Sequence, residues 1–145
     1  MEMIGQLVTS FIASAGFAVL FHVPRGSLLK CGFVGMLGWL LYLLLQGRGF
    51  DTIVASVGAS FFVSLLSLFM AKMYKIPVIV FSVSGVIPLV PGGTAYDAMR
   101  NVVENHYDIA VQLAAKSFLI SGAIAMGLIF SEVAGRLLLR ARRRI

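Results

Sequence analysis

Hydrophobic residues fall into five runs, at about 3–23, 31–47, 52–71, 76–90 and 109–135, joined by short polar links. Runs of this length and spacing predict membrane helices rather than the strands or core helices of a soluble domain. The run 31–47 is short for a perpendicular span, so flanking residues or local thinning must complete it. Small residues recur at four-residue spacing within the runs. Ser10, Ser14 and Ala18 predict a close-packing face on the first helix, and Ser117, Ser121 and Ala125 predict another on the last. Thr52, Ser56, Ser60 and Ser64 form a longer stripe, which suits either hydrogen-bonded helix packing or the polar wall of a solute path.

The pattern changes in the fourth run, at IPLVPGGTAYDAMR, Ile87–Arg100. Pro88 and Pro91 lack the N–H that a helix needs, and Pro88 leaves the carbonyl of Ser84 without its usual partner. Gly92 and Gly93 let the backbone turn, and Thr94 with Asp97 predicts an N-cap and first turn of a new helix. From about 94 to 108, Ala95, Tyr96, Met99, Val102, Val103 and His106 share one side of that helix. Asp97, Arg100, Asn101, Glu104 and Asp108 share the other. A surface loop would tolerate the same Pro-Gly-Gly-Thr sequence; at membrane depth, the new helix start would present free N–H groups to a carboxylate. The expected fold is an all-α integral membrane protein forming one domain, 1–145. It has about five transmembrane helices, a Pro/Gly break, a short amphipathic helix before the last span, and a basic tail at 136–145.

Composition agrees with that class: 59% of the 145 residues are hydrophobic and 12% charged, with a mean hydropathy of +0.96. The first run lacks the basic start of a signal peptide, and the single cysteine, Cys31, reads as a small packing residue. Arg25, Lys30, Lys72, Lys75 and the arginine-rich tail fall on one side of a five-span topology, against Arg48, Arg100 and Lys116 on the other. The basic side is therefore expected in the cytoplasm and the N-terminus outside, with the tail against anionic lipid rather than nucleic acid. Glu132 and Arg136 are placed to pair near the membrane surface. Lys116 is either a lysine snorkelling to the interface or a contact for an anionic solute. Two histidines at no metal-ligand spacing, no nucleophile with a base partner and no phosphate loop give no enzyme, metal or cofactor reading.

GFAVLFHVP, Gly16–Pro24, and IPLVPGGTAYDAM, Ile87–Met99, resemble the small membrane subunit of threonine/serine exporter family proteins, and the run pattern fits over nearly the whole chain. Pro88, Pro91, Gly92, Ala95 and Tyr96 match the family stretch; Gly93 is not constant in related small subunits. The resemblance implies a bacterial inner-membrane exporter that works with a larger membrane subunit, on threonine and serine or, in some two-subunit members, succinate. Together with the residue reading, it gives the expected substrate-binding set Pro88, Pro91, Gly92, Gly93, Thr94, Tyr96 and Lys116, with Tyr96 shaping the pocket and Gly92→Val abolishing efflux. The alternative is an assembly subunit with no substrate site of its own. A homo-oligomer is compatible with either; a self-assembling pore is disfavoured by the lack of a charged ring or full-length pore-lining helix.

Overall fold

Proline or glycine punctuates most of the places where this chain's apolar helices end. A computed structural model describes residues 2–142, with side chains up to Leu137. The helices are α1 (Glu2–Leu20), α2 (Arg25–Gly47), α3 (Thr52–Tyr74), α4 (Val78–Val86), α5 (Gly92–Val103) and α6 (Tyr107–Arg142), with a 3-10 turn at Ile87–Leu89 between α4 and α5. No strand occurs among the described residues. Helices α1, α2, α3 and α6 are long and apolar enough to cross a membrane. The pair Val78–Leu89 and Gly92–Val103, bent by 50°, makes a fifth if taken as one span. The protein is an all-α, multi-pass membrane protein.

Several boundaries differ from those read in the sequence. The α2 helix starts at Arg25, directly after Pro24, whose carbonyl accepts from the Ser27 N–H at 2.8 Å. The supposed basic link is thus the first turns of a 23-residue helix, about 35 Å long at 1.5 Å per residue, and no membrane thinning is needed. Lys30 reaches the Tyr74 ring, 3.3 Å from its centroid, so its charge lies at the same end of the bundle as the end of α3. The amphipathic helix runs from 92 to 103 instead of 94 to 108. Asn105 turns left-handed, with φ 62°, and α6 begins at Tyr107. Helix α6 then continues through residues 136–142 of the expected tail, whose residues 143–145 lie outside the described residues.

Lipid tails offer no hydrophobic reason for two helices to meet, so the contacts depend on close approach at small residues. Ser10, Ser14 and Ala18 are all buried on α1. A Cβ on Gly35 of α2 would collide with the Ser14 side chain, and one on Gly32 would lie 2.7 Å from the Phe11 ring. Between α3 and α6 the contact is tighter still: a Cβ on Gly127 would meet the Ser60 hydroxyl and sit 2.7 Å from the Val57 carbonyl. A Cβ on Gly135 would sit 2.6 Å from Leu68. These two contacts lie eight residues apart on both helices, so α3 and α6 run parallel. The expected Ser117–Ser121–Ala125 face is not the packed one. Ser121 and Ala125 are exposed, while Ala123, Gly127, Ser131 and Gly135 are buried.

Helix α4 lies against α2 and α3, with Phe81 fully buried and Gly85 held between Val34 and Val63. Helix α5 packs on α6 and on no other helix to any extent. It buries Ala98 there and leaves Tyr96, Met99 and Val103 exposed. Its apolar side therefore faces away from its own chain. Arg100 Nε donates to Glu104 Oε1 at 2.8 Å on the polar side, an exposed pair contributing about 0.2–0.5 kcal/mol.

Gly127→Leu is expected to destabilise the protein by about 1–3 kcal/mol, measured by thermal unfolding in detergent, because α3 cannot yield its backbone. Gly122→Leu, where a Cβ meets nothing within 4 Å, should change stability by less than about 0.5 kcal/mol.

Candidate functional site

Because Pro88 and Pro91 cannot donate, the chain between α4 and α5 closes on itself with few backbone bonds. Val90 donates to Ile87 at 3.2 Å, Gly92 to Val90 at 2.7 Å and Ala95 to Pro91 at 3.1 Å. The Gly93 and Thr94 N–H groups have no backbone acceptor among the described residues. They are free donors at the positive end of a 12-residue helix.

Helix α5 starts two residues earlier than Thr94, so this residue is not the N-cap; Pro91 takes that position without a side-chain bond. Thr94 instead fastens the break to α6. Its hydroxyl donates to the Pro91 carbonyl at 3.0 Å and accepts from the Ser117 hydroxyl at 2.9 Å.

A cleft of about 360 Å³ opens beside the break. Pro88, Leu89, Val90, Pro91, Gly93 and Thr94 form one wall. Trp39, Tyr42 and Gln46 of α2 face them, Thr52 and Ser56 of α3 make the floor, and Lys116 and Ile120 of α6 close the side. The aromatic pair is stacked, with ring centroids 5.0 Å apart. Gln46 Nε2 donates to the Tyr42 hydroxyl at 2.9 Å and to Thr52 Oγ1 at 3.2 Å, which ties the end of α2 to the start of α3. Trp39 Nε1 lies 3.4 Å from Gln6 Oε1 on α1. The lining includes one cation and no carboxylate, and Lys116 makes no ion pair among the described residues. The polar lining thus includes Lys116, two free helix N–H groups and several hydroxyls, all able to donate hydrogen bonds.

The structure brings together Pro88, Pro91, Gly93, Thr94 and Lys116 of the expected set. Gly92 and Tyr96 do not line the cleft. Tyr96 is 68% exposed on the outward apolar side of α5, so it does not shape the pocket. Gly92 is exposed, with nothing within 4 Å of a Cβ, which removes the steric reason for a loss of function in Gly92→Val. The sequence offered partial signals for the lining residues that were not in the set. Thr52 and Ser56 belong to the stripe whose role stayed open, and Trp39 and Tyr42 are aromatics within the second apolar run. Gln46 gave no signal, since one amide at a helix end is ordinary.

The family model described as Threonine/Serine exporter, ThrE, matches residues 6–134. The chain belongs to the threonine/serine exporter family. It is thus a membrane transporter of the threonine/serine exporter type. The matched region contains every residue lining the cleft, and no solved structure matches the chain.

Gly93→Val should lower threonine efflux about tenfold or more, because Gly93 belongs to the cleft wall, where an added branched side chain competes with a solute for space. Gly92→Val, one position away and outside the lining, should retain efflux. Cellular efflux assays with membrane levels checked by blotting separate the two.

Proposed function

We propose that this chain is the small subunit of a bacterial inner-membrane secondary exporter and that the cleft at the helix break binds the carboxylate of its substrate. Threonine and serine are the substrate class favoured by the family, and a dicarboxylate such as succinate carries the same group. The observation that supports this reading is the cleft's charge: Lys116 and the free N–H groups of Gly93 and Thr94, with no carboxylate among the lining residues. Pro88, Pro91 and Gly93 shape the wall, Thr94 holds the helix start against Ser117, and Lys116 supplies the cation.

The same reading gives an orientation. Arg25, Lys30, Lys72, Lys75 and Arg136 lie towards the end where α1, α3 and α6 finish and α2 begins. That end is cytoplasmic by the distribution of basic residues, and the cleft opens towards the outer face. A larger multi-span subunit completes the path, and the exposed apolar residues of the spans meet lipid or that partner.

Two tests bear on the proposal. Efflux of threonine, serine and succinate is measured with this chain alone, its genomic-neighbour partner alone, and both. Export only with both supports the two-subunit reading; full export with the partner alone reduces this chain to an assembly subunit. Within the active pair, Lys116→Gln should weaken apparent substrate affinity about tenfold or more, the cost of losing a charge-assisted contact, while Lys116→Arg retains most of it. Unchanged affinity in Lys116→Gln would remove the carboxylate site from this cleft.

A further inference from the structure

A second cleft, of about 390 Å³, lies farther along the same α3–α6 seam, where α4 stands apart from α6. Ser64, Ser82 and Glu132 supply its polar lining, and Leu68, Val78 and Leu128 its apolar walls. The lining contains a carboxylate and no cation, the reverse of the first cleft.

The register of α3 against α6 sets its depth. Gly127 meets Ser60 and Gly135 meets Leu68, an offset of 67 positions in both cases, which brings Glu132 level with residue 65. Ser64 itself is 12 residues past Thr52 and 10 before Tyr74, the ends of α3. At 1.5 Å per residue it is about 18 Å from one end and about 15 Å from the other. Glu132 is therefore at half depth of this span, where an ionisable group is costly and has a functional reason to persist. Arg136 Nη2 pairs with Oε1 of Glu132, leaving Oε2 without a partner among the described residues.

Ser64 offers the cleft a second polar group. Ser56, Ser60 and Ser67 donate to carbonyls of their own helix at 2.7, 3.0 and 2.7 Å. Ser64, 6% exposed, makes no hydrogen bond among the described residues and lines the cleft. Among the described residues the fully buried hydroxyls without a partner are those of Ser14 and Ser131, so the Ser64 hydroxyl is open to the cleft and available to a ligand.

We infer that the α3–α4–α6 cleft is a second station for the substrate, where Glu132 and Ser64 hold the primary ammonium group of an amino acid and thereby favour amino acids over carboxylates that lack one. The inference rests on the reading of the first cleft as a carboxylate site. The stations are successive rather than simultaneous. Ile120 of the first and Leu128 of the second are eight residues apart on α6, about 12 Å, longer than a free threonine. Between them Ser60 and Gly127 are in contact and close the seam.

The test is equilibrium binding of labelled threonine and labelled 3-hydroxybutyrate, which keeps the carboxylate and hydroxyl but has no ammonium. It uses membranes containing this chain with its genomic-neighbour partner. The wild type should prefer threonine; Glu132→Gln should cut that preference about tenfold or more, and Ser64→Ala by a smaller factor, with 3-hydroxybutyrate affinity unchanged. Lys116→Gln should weaken 3-hydroxybutyrate, which has only the first station, and leave threonine its binding at the second. A threonine preference that survives Glu132→Gln and Ser64→Ala, with Lys116→Gln weakening both ligands alike, overturns this station alone. Indifference to all three substitutions overturns the carboxylate site and this station with it.

Discussion

Two prolines remove N–H donors from a stretch that lies against α2 and α3, and much of the architecture follows from the backbone groups left unbonded there. In a bilayer, irregular backbone persists only where protein or a water-filled cavity surrounds it. Here both conditions are met. Leu89 is buried in the core cluster with Phe81 and Val63, while Val90, Pro91, Gly93 and Thr94 border the cleft. The 3-10 turn at Ile87–Leu89 absorbs the end of α4, and Thr94 and Ser117 pin the start of α5 to α6. The break is therefore held from both sides, and its free donors are fixed in direction instead of being averaged over loop conformers.

Holding the break this way requires helices that approach closely, which the glycines provide. Gly38 and Gly85 let α2, α3 and α4 meet around Val63, and Gly127 lets α6 reach the backbone of α3. The same tight α3–α6 contact leaves space at either end of it. One space becomes the cleft with Lys116 and the other the cleft with Glu132. Opposite charge at two points along one seam suits a substrate that is itself a zwitterion.

The sequence revealed most of the fold because the bilayer demands long apolar helices, and their runs are visible directly. The break was equally legible, since proline and glycine act locally. What stayed hidden was orientation around each helix axis. Helix α6 is apolar on all sides through its middle, so nothing in its pattern distinguished the buried Ala123–Gly127–Ser131 face from Ser117–Ser121–Ala125. Amphipathicity misled in α5 for a related reason: a soluble helix buries its apolar face against its own chain, but here Tyr96 and Met99 point outward and Ala98 packs. The start of α2 was missed because Arg25 and Lys30 look like a link, although long basic side chains at a helix end can reach polar surroundings from within the helix. Thr94 was recognised as a structural hydroxyl but placed two residues out of register. Its true role depends on Ser117, distant in sequence.

The central claim is that the helix break on this chain meets the substrate. The most direct measurement introduces Gly93→Cys into a Cys31→Ala background, Cys31 being the chain's single, buried cysteine. Its reaction with a membrane-impermeant maleimide is followed in vesicles carrying the active exporter. The account predicts labelling from the face opposite the basic end, slowed by saturating threonine. Labelling that threonine leaves unchanged, or that occurs only from the basic face, would contradict it.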